Sequence, residues 1–169
     1  RFREDWQVAW FEEPVSSDDR EGLRLLRDQG PRGLDIAAGE YGFVEVDFLA
    51  LLKAGAVDCL QADVTRCGGI TGLLQAGGLA SAHGIDLSAH CAPAISAHAF
   101  CGIQHLRHLE YFHDHVRVED MLLDGVLRPE GGALRPDPKR PGLGLSLKRK
   151  DAERFLVHRG EQRRRAPQG

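Results

Sequence analysis

Short apolar runs alternate with longer amphipathic stretches over the first 110 residues, and each short run stops at an ionisable residue. Val8 to Phe11 is the first short run and reads as a buried strand. Glu12 and Glu13 follow, and Pro14 ends the strand because it has no N–H for a sheet ladder. Ser16-Ser17-Asp18-Asp19 then offers helix caps, with Asp18 and Glu21 spaced as a capping box. Leu23, Leu25 and Leu26 predict a helix that Gly30-Pro31 ends. Leu34 to Ala38 is a second strand, closed by Gly39-Glu40. Val44, Phe48, Leu51 and Leu52 stand at helical spacing and predict a helix over Val44 to Ala54, before Gly55. Val57 to Ala62 is a third strand, ending in Asp63. Gly68-Gly69 opens a long helix through His83, and Ile85 to Ser88 is a fourth strand, ending in His90. Pro93 to Ile103 predicts a further helix, and Leu106 to Leu109 a fifth strand that ends in Glu110.

The strand-end residues Glu12, Glu40, Asp63, His90 and Glu110 are spaced 28, 23, 27 and 20 residues apart. Each step suits one strand, one helix and two loops, the unit of parallel α/β sheets. A doubly wound open sheet is one solution, but Arg66-Cys67-Gly68-Gly69 is not the glycine fingerprint of a nucleotide-binding turn. A (β/α)8 barrel fits better, because its chemistry is assembled from the ends of several strands. Five units are present, so the expected fold is the C-terminal five-eighths of such a barrel, over residues 1–115. Residues 116–157 differ in kind. Leu122 to Leu145 is rich in glycine and proline and predicts an irregular return segment with one hairpin, and Lys150 to Val157 predicts a short helix. Residues 158–169 are polar, basic and aperiodic, and are expected to be a disordered tail.

A chain of 169 residues is long enough for one domain with a real core. Its net charge of −3 argues against a nucleic-acid partner, which would want a basic body. No apolar run approaches the length of a membrane span and no signal-peptide pattern is present, so a cytoplasmic location is expected. Cys59, Cys67, Cys91 and Cys101 lack C-x-x-C spacing, which excludes a zinc ribbon and favours reduced, buried thiols. Trp6 and Trp10 are expected in the core, and His98, His105 and His108 in packing or surface roles. His113, Asp114 and His115 follow Glu110 closely enough to line the same rim.

Strand-end carboxylates such as Glu12 and Glu40 offer hard oxygens, which suit Mg²⁺ better than zinc. Asp63 and His90 lie one unit apart. An aspartate bonded to one imidazole nitrogen fixes the tautomer and makes a competent general base or acid. Glu110, if protonated in a poorly solvated site, can donate to a developing oxyanion. Arg66 beside the dyad strand suits a substrate carboxylate. Each residue taken singly also fits a structural use: an acidic pair at a strand–loop junction, a packed histidine, an ion-pair network. Five ionisable groups at successive strand ends point to chemistry.

These residues carry a resemblance. Trp10-Phe11-Glu12-Glu13-Pro14, Ala38-Gly39-Glu40, Gln61-Ala62-Asp63, Cys67-Gly68-Gly69-Ile70-Thr71, Ser88-Ala89-His90 and Leu109-Glu110 resemble, in order and spacing, the C-terminal part of an enolase-superfamily enzyme of the mandelate racemase subgroup. The resemblance covers about residues 5 to 157. It implies that Glu12 and Glu40 are two of three Mg²⁺ carboxylates and that Glu13 is an acidic neighbour outside the ligand set, placed to contact substrate. It implies that Asp63 and His90 are the dyad moving a proton beside a carboxylate, and that Glu110 hydrogen-bonds the enediolate oxygen. The third metal carboxylate, a Lys-x-Lys base and a capping domain belong to earlier parts of the family's chain and are not in this sequence. Ala62 stands where family members often carry proline.

The expected function is therefore Mg²⁺-dependent abstraction of an α-proton from a small carboxylate substrate, as in an acid-sugar dehydratase. A 2-hydroxyacid racemase or epimerase is the close alternative. A non-catalytic assembly partner is the alternative from another class. The chain alone is expected to bind metal weakly and to be weakly active or inactive, and the full-length product to be a homo-oligomer.

Overall fold

A computed structural model describes residues 1–158. Five parallel strands carry the fold: β1 (Trp10–Glu12), β2 (Asp35–Ala38), β3 (Cys59–Ala62), β4 (Asp86–Ala89) and β5 (Leu106–Leu109). They pair strictly in chain order, β1-β2-β3-β4-β5. A doubly wound sheet reverses its order at a switch point. This sheet has no reversal, so the open-sheet alternative is set aside and the winding is that of a barrel.

Helices α2 (Arg20–Gln29), α3 (Glu45–Ala54), α4 (Gly69–Ala82) and α5 (Pro93–Ala99) link successive strands, after a first helix α1 (Phe2–Trp6). Leu23, Ile36, Phe48, Leu60, Leu73, Leu87 and Phe100, all buried, lock these helices to the sheet. Strands β2, β3 and β4 are buried along most of their length, as their unbroken apolar runs require when both faces are covered. The edge strands β1 and β5 alternate instead.

The sheet curls. Trp10 on β1 and His108 on β5 belong to opposite edges, yet their rings pack edge to face at 4.6 Å. Arg107 of β5 pairs with Asp35 of β2 at 2.6 Å and lies over the Trp10 ring. The five strands therefore form a curled half-barrel, with side chains of β1, β2 and β5 in contact across the curl.

Several boundaries differ from the sequence-based expectations. The first strand begins at Trp10, and Val8 is left partly exposed. Asp19, not Asp18, caps α2, its Oδ1 accepting from the Gly22 amide at 2.9 Å. A turn that returns the Asp19 amide to the Ser16 carbonyl uses the extra residue. Helix α5 stops at Ala99 and tightens into a 3-10 turn over Phe100–Gly102. Trp6 is 74% exposed on α1, because that short helix buries none of its residues. Cys101 is exposed, while the other three thiols are buried.

Beyond β5 the chain forms α6 (His113–Leu122), then a two-stranded antiparallel ribbon of β6 (Leu123–Asp124) and β7 (Ser146–Leu147). A five-residue helix α7 (Arg149–Glu153) follows, shorter than the eight residues expected. The expected disordered tail at residues 158–169 lies, apart from His158, outside the described residues.

Candidate active site

The carboxyl ends of the five strands bring Glu40, Asp63, His90 and Glu110 together, with Glu12 one strand away. Strand β1 ends at Glu12, and the Glu13 amide still donates to the Ala37 carbonyl at 2.9 Å. Glu13 takes φ 38°, so consecutive carboxylates diverge from the strand end. Glu12 Oε2 accepts from Trp10 Nε1 at 3.0 Å. Glu13 Oε1 is buried and has no partner. Burial first, and the negative charge of Glu40 second, raise the Glu13 carboxyl above its ordinary value.

Gly39 delivers Glu40. Its φ is +131°, and a Cβ there would stand 2.3 Å from the Gln61 carbonyl oxygen. Only glycine lets β2 pass so close to β3 before turning outward. Glu40 Oε2 then lies 3.1 Å from His90 Nε2, and Oε1 lies 3.3 Å from Arg66.

The dyad is formed. His90 Nδ1 is 2.8 Å from Asp63 Oδ2. Asp63 is 2% exposed, and its other oxygen accepts from the Thr65 amide at 2.7 Å and the Thr65 hydroxyl at 2.6 Å. Burial pushes the Asp63 carboxyl up, but the hydrogen bonds from His90 and Thr65 outweigh it and hold it at about 2. The same Asp63 bond raises His90 above the ordinary imidazole value against the opposing effect of burial. With Nδ1 committed to Asp63, the working nitrogen is Nε2, which faces the strand-end opening beside Glu40.

Glu110 accepts on both oxygens, from Gln61 Nε2 at 3.3 Å and from the Cys91 amide at 3.0 Å. Arg66 turns its guanidinium to Glu40 and, at 3.5 Å, to Asp63, and stacks on the Tyr41 ring. It therefore braces the dyad aspartate and the neighbouring Glu40. His115 Nδ1 accepts from the Ala92 amide at 3.1 Å and so fastens the loop after β4. A recess of about 460 Å³, lined by Arg20, Tyr41, Phe43 and Asp47, opens to one side and holds none of the strand-end acids.

Sequence reading missed four supporting residues. Thr65 carries a local signal, since a hydroxyl two residues after an aspartate is a turn motif. Tyr41, Gln61 and Cys91 carry none, because their roles arise from neighbouring strands.

The donor set fits a hard divalent cation. Glu12 and Glu40 end adjacent strands, and both offer hard carboxylate oxygens.

Comparisons with known proteins agree with this fold. The enolase C-terminal domain-like family model matches residues 1–152. L-rhamnonate dehydratase of Saccharopolyspora erythraea is 32% identical over 150 residues, covering 85% of this chain and 38% of that protein. D-galactonate dehydratase of Ralstonia nicotianae is 32% identical over 163 residues, covering 87% of this chain and 41% of that protein. A mandelate racemase/muconate lactonizing enzyme-like protein from Rubrobacter xylanophilus superposes with a TM-score of 0.87 at 62% identity, covering 90% of this chain and 42% of that one. L-talarate dehydratase from Polaromonas sp. JS666, solved with Mg and L-glucarate, superposes at 0.79 with 29% identity, covering 90% of this chain and 41% of that one. The chain thus spans about two-fifths of the length of the curated relatives it matches. By its strand order, its strand-end residues and a family match over nine-tenths of its length, the chain belongs to the enolase C-terminal domain-like family.

Proposed function

We propose that this chain provides the proton-transfer dyad and two metal carboxylates of a Mg²⁺-dependent acid-sugar dehydratase. The observation that carries the reading is the His90 Nδ1–Asp63 bond of 2.8 Å, with Nε2 directed at Glu40. The named dehydratases among its relatives support the substrate class.

Glu12 and Glu40 would hold the Mg²⁺. When bound, the ion neutralises charge on the substrate carboxylate and so acidifies the α-proton. His90 Nε2 moves the proton. Asp63 fixes the Nδ1–H tautomer and stabilises the imidazolium. In the described geometry Glu40 Oε2 and Nε2 are 3.1 Å apart, so no substrate atom fits between them. Glu40 must swing off His90 for Nε2 to reach substrate. Glu110, held by Gln61 and Cys91, would have to carry a proton to donate to a developing oxyanion. Loss of the α-proton is followed by departure of the β-hydroxyl, protonated by the His90 imidazolium. The substrate becomes a 2-keto-3-deoxy acid and one water. Weak Mg²⁺ binding is expected from this chain by itself, since two carboxylates are few for a cation that demands six ligands.

The test is product analysis on the full-length protein that carries this chain, with Mg²⁺ and a panel of aldonates and aldarates in deuterated water. A 2-keto-3-deoxy product, lost in His90→Asn, is expected. Inverted substrate without that product would show a racemase or epimerase. Absence of deuterium exchange at the α-carbon with every substrate would leave a non-catalytic role.

A further inference from the structure

One group of side chains at the strand ends is not used by the proposed proton transfer as a group. Cys91 follows His90 in the loop after β4 with φ 49°, a left-handed backbone that non-glycine residues adopt only where the surroundings enforce it. The Cys91 amide, donating to Glu110 Oε2 at 3.0 Å, holds that turn. The turn buries the thiol, leaving Cys91 2% exposed. Its Sγ lies 3.3 Å from His90 Nε2 and 3.7 Å from Glu110 Oε2. One ligating atom from each of His90, Cys91 and Glu110 falls within 4.8 Å of the others.

A nitrogen, a sulfur and a carboxylate oxygen are zinc-type donors, not magnesium-type ones. Zinc bonds of about 2.3 Å to sulfur and about 2.1 Å to nitrogen or oxygen, at tetrahedral angles, separate sulfur from either partner by about 3.6 Å. The observed 3.3 and 3.7 Å bracket that spacing for the two sulfur pairs.

We propose that His90, Cys91 and Glu110 form a binding site for a thiophilic divalent cation of the zinc class, distinct from the Glu12–Glu40 carboxylates, and that its occupation blocks proton transfer by taking the Nε2 lone pair. The inhibitory consequence rests on the reading of His90 as the proton-transfer group. The site itself does not. On binding, the Cys91 S–H bond and the His90 Nε2–H bond that faces Glu40 break, both protons leave to solvent, and sulfur–metal and nitrogen–metal bonds form with no change of oxidation state. Burial, with the charges of Glu110 and Asp63, pushes the free Cys91 thiol up to about 12. The dication supplies the positive charge that the thiolate lacks, as coordinating metals do. Capture also breaks the Nε2 contact with Glu40.

The experiment is a titration of the protein with Cd²⁺, followed by the ultraviolet thiolate-to-metal absorption band, with far-ultraviolet dichroism confirming that each variant is folded. A band saturating at one equivalent is expected, unchanged by excess Mg²⁺. It should vanish in Cys91→Ala and in the size-matched Cys91→Ser, and persist in Cys101→Ala, which removes the exposed thiol. Glu110→Gln should weaken the apparent affinity by at least the roughly 10–100-fold that loss of an outer-shell partner produces. No band, a band that survives both Cys91 variants, a band lost with Cys101 or a band erased by Mg²⁺ overturns the proposal. The two readings fail separately. A Cys91-dependent band without deuterium exchange at substrate removes the dehydratase and leaves the site, while exchange without the band does the reverse.

Discussion

Asp63 shows how a single residue can be committed to one protonation state by its surroundings. It is buried, which alone would raise its carboxyl, yet three hydrogen bonds hold it at about 2. Removing the charge while keeping the shape should therefore damage the chemistry far more than the fold. Asp63→Asn is expected to lower turnover by about 10²- to 10⁴-fold, the range of general acid–base catalysis, and to lower the melting temperature as well, because the hydrogen bonds that hold the carboxylate also stabilise the folded state. Equal loss of structure and activity would show Asp63 to be merely structural. Glu119 on α6 is the opposite case. Burial raises its carboxyl even though it accepts from the Ala94 amide at 3.2 Å. A carboxyl raised on folding binds more protons folded than unfolded, so stability falls as pH climbs through the window between its unfolded value, about 4.3, and its higher folded one. Glu119→Gln keeps the acceptor and abolishes that titration. Its melting temperature should exceed the parent's at neutral pH, and the gap should shrink below pH 4. A gap independent of pH would contradict this. At this scale the strand-end acids were legible in the sequence, because an ionisable residue closing an apolar run is a local pattern. Gln61 and Cys91 were not, since their partner Glu110 is 49 and 19 residues away.

Between elements, Asp58 acts as a staple. One oxygen pairs with Arg27 of α2 at 2.7 Å and the other accepts from the Ile36 amide of β2 at 2.9 Å, while Arg27 also reaches the Gly55 carbonyl behind α3. Asp58→Ala strands two donors and should cost about 1–3 kcal/mol by urea denaturation. An effect below a few tenths of a kcal/mol would show that water replaces the staple. Gly39 plays a comparable part between β2 and β3. Gly39→Ala puts a methyl 2.3 Å from the Gln61 carbonyl, so the strands must separate. A loss of roughly 1–3 kcal/mol is expected from the strained backbone, together with weaker Mg²⁺ binding because Glu40 moves with it. Unchanged thermal stability would refute the close-packing account. Helix and strand identities here followed from apolar spacing and glycine stops. The ends did not: the shift of the α2 cap from Asp18 to Asp19 came from a turn at Ser16, which no periodicity records.

For the whole molecule, the consequence of a half-barrel is two unpaired strand edges. Among the described residues β1 pairs only with β2, and β5 only with β4. Phe11 on β1 is 46% exposed and Leu106 on β5 is 42% exposed. Such edges invite further pairing. Sedimentation should show concentration-dependent association of this chain, and a strict monomer at high concentration would contradict it. Mg²⁺ near 100 times its dissociation constant should stabilise the fold by about 2.7 kcal/mol, and Glu40→Gln should remove that gain.

By itself the sequence determined the period of the β-α repeat, the class of residue at each strand end and the apolar faces that make the core. These are local properties, carried by residues near one another in the chain. Tertiary structure alone decided that Trp10 meets His108 across the curl, and that Glu40, Cys91 and Glu110 join Asp63 around one imidazole. The reason is physical. Sequence spacing sets how often the chain returns to the rim, whereas sheet curvature sets which of those returns come within bonding distance.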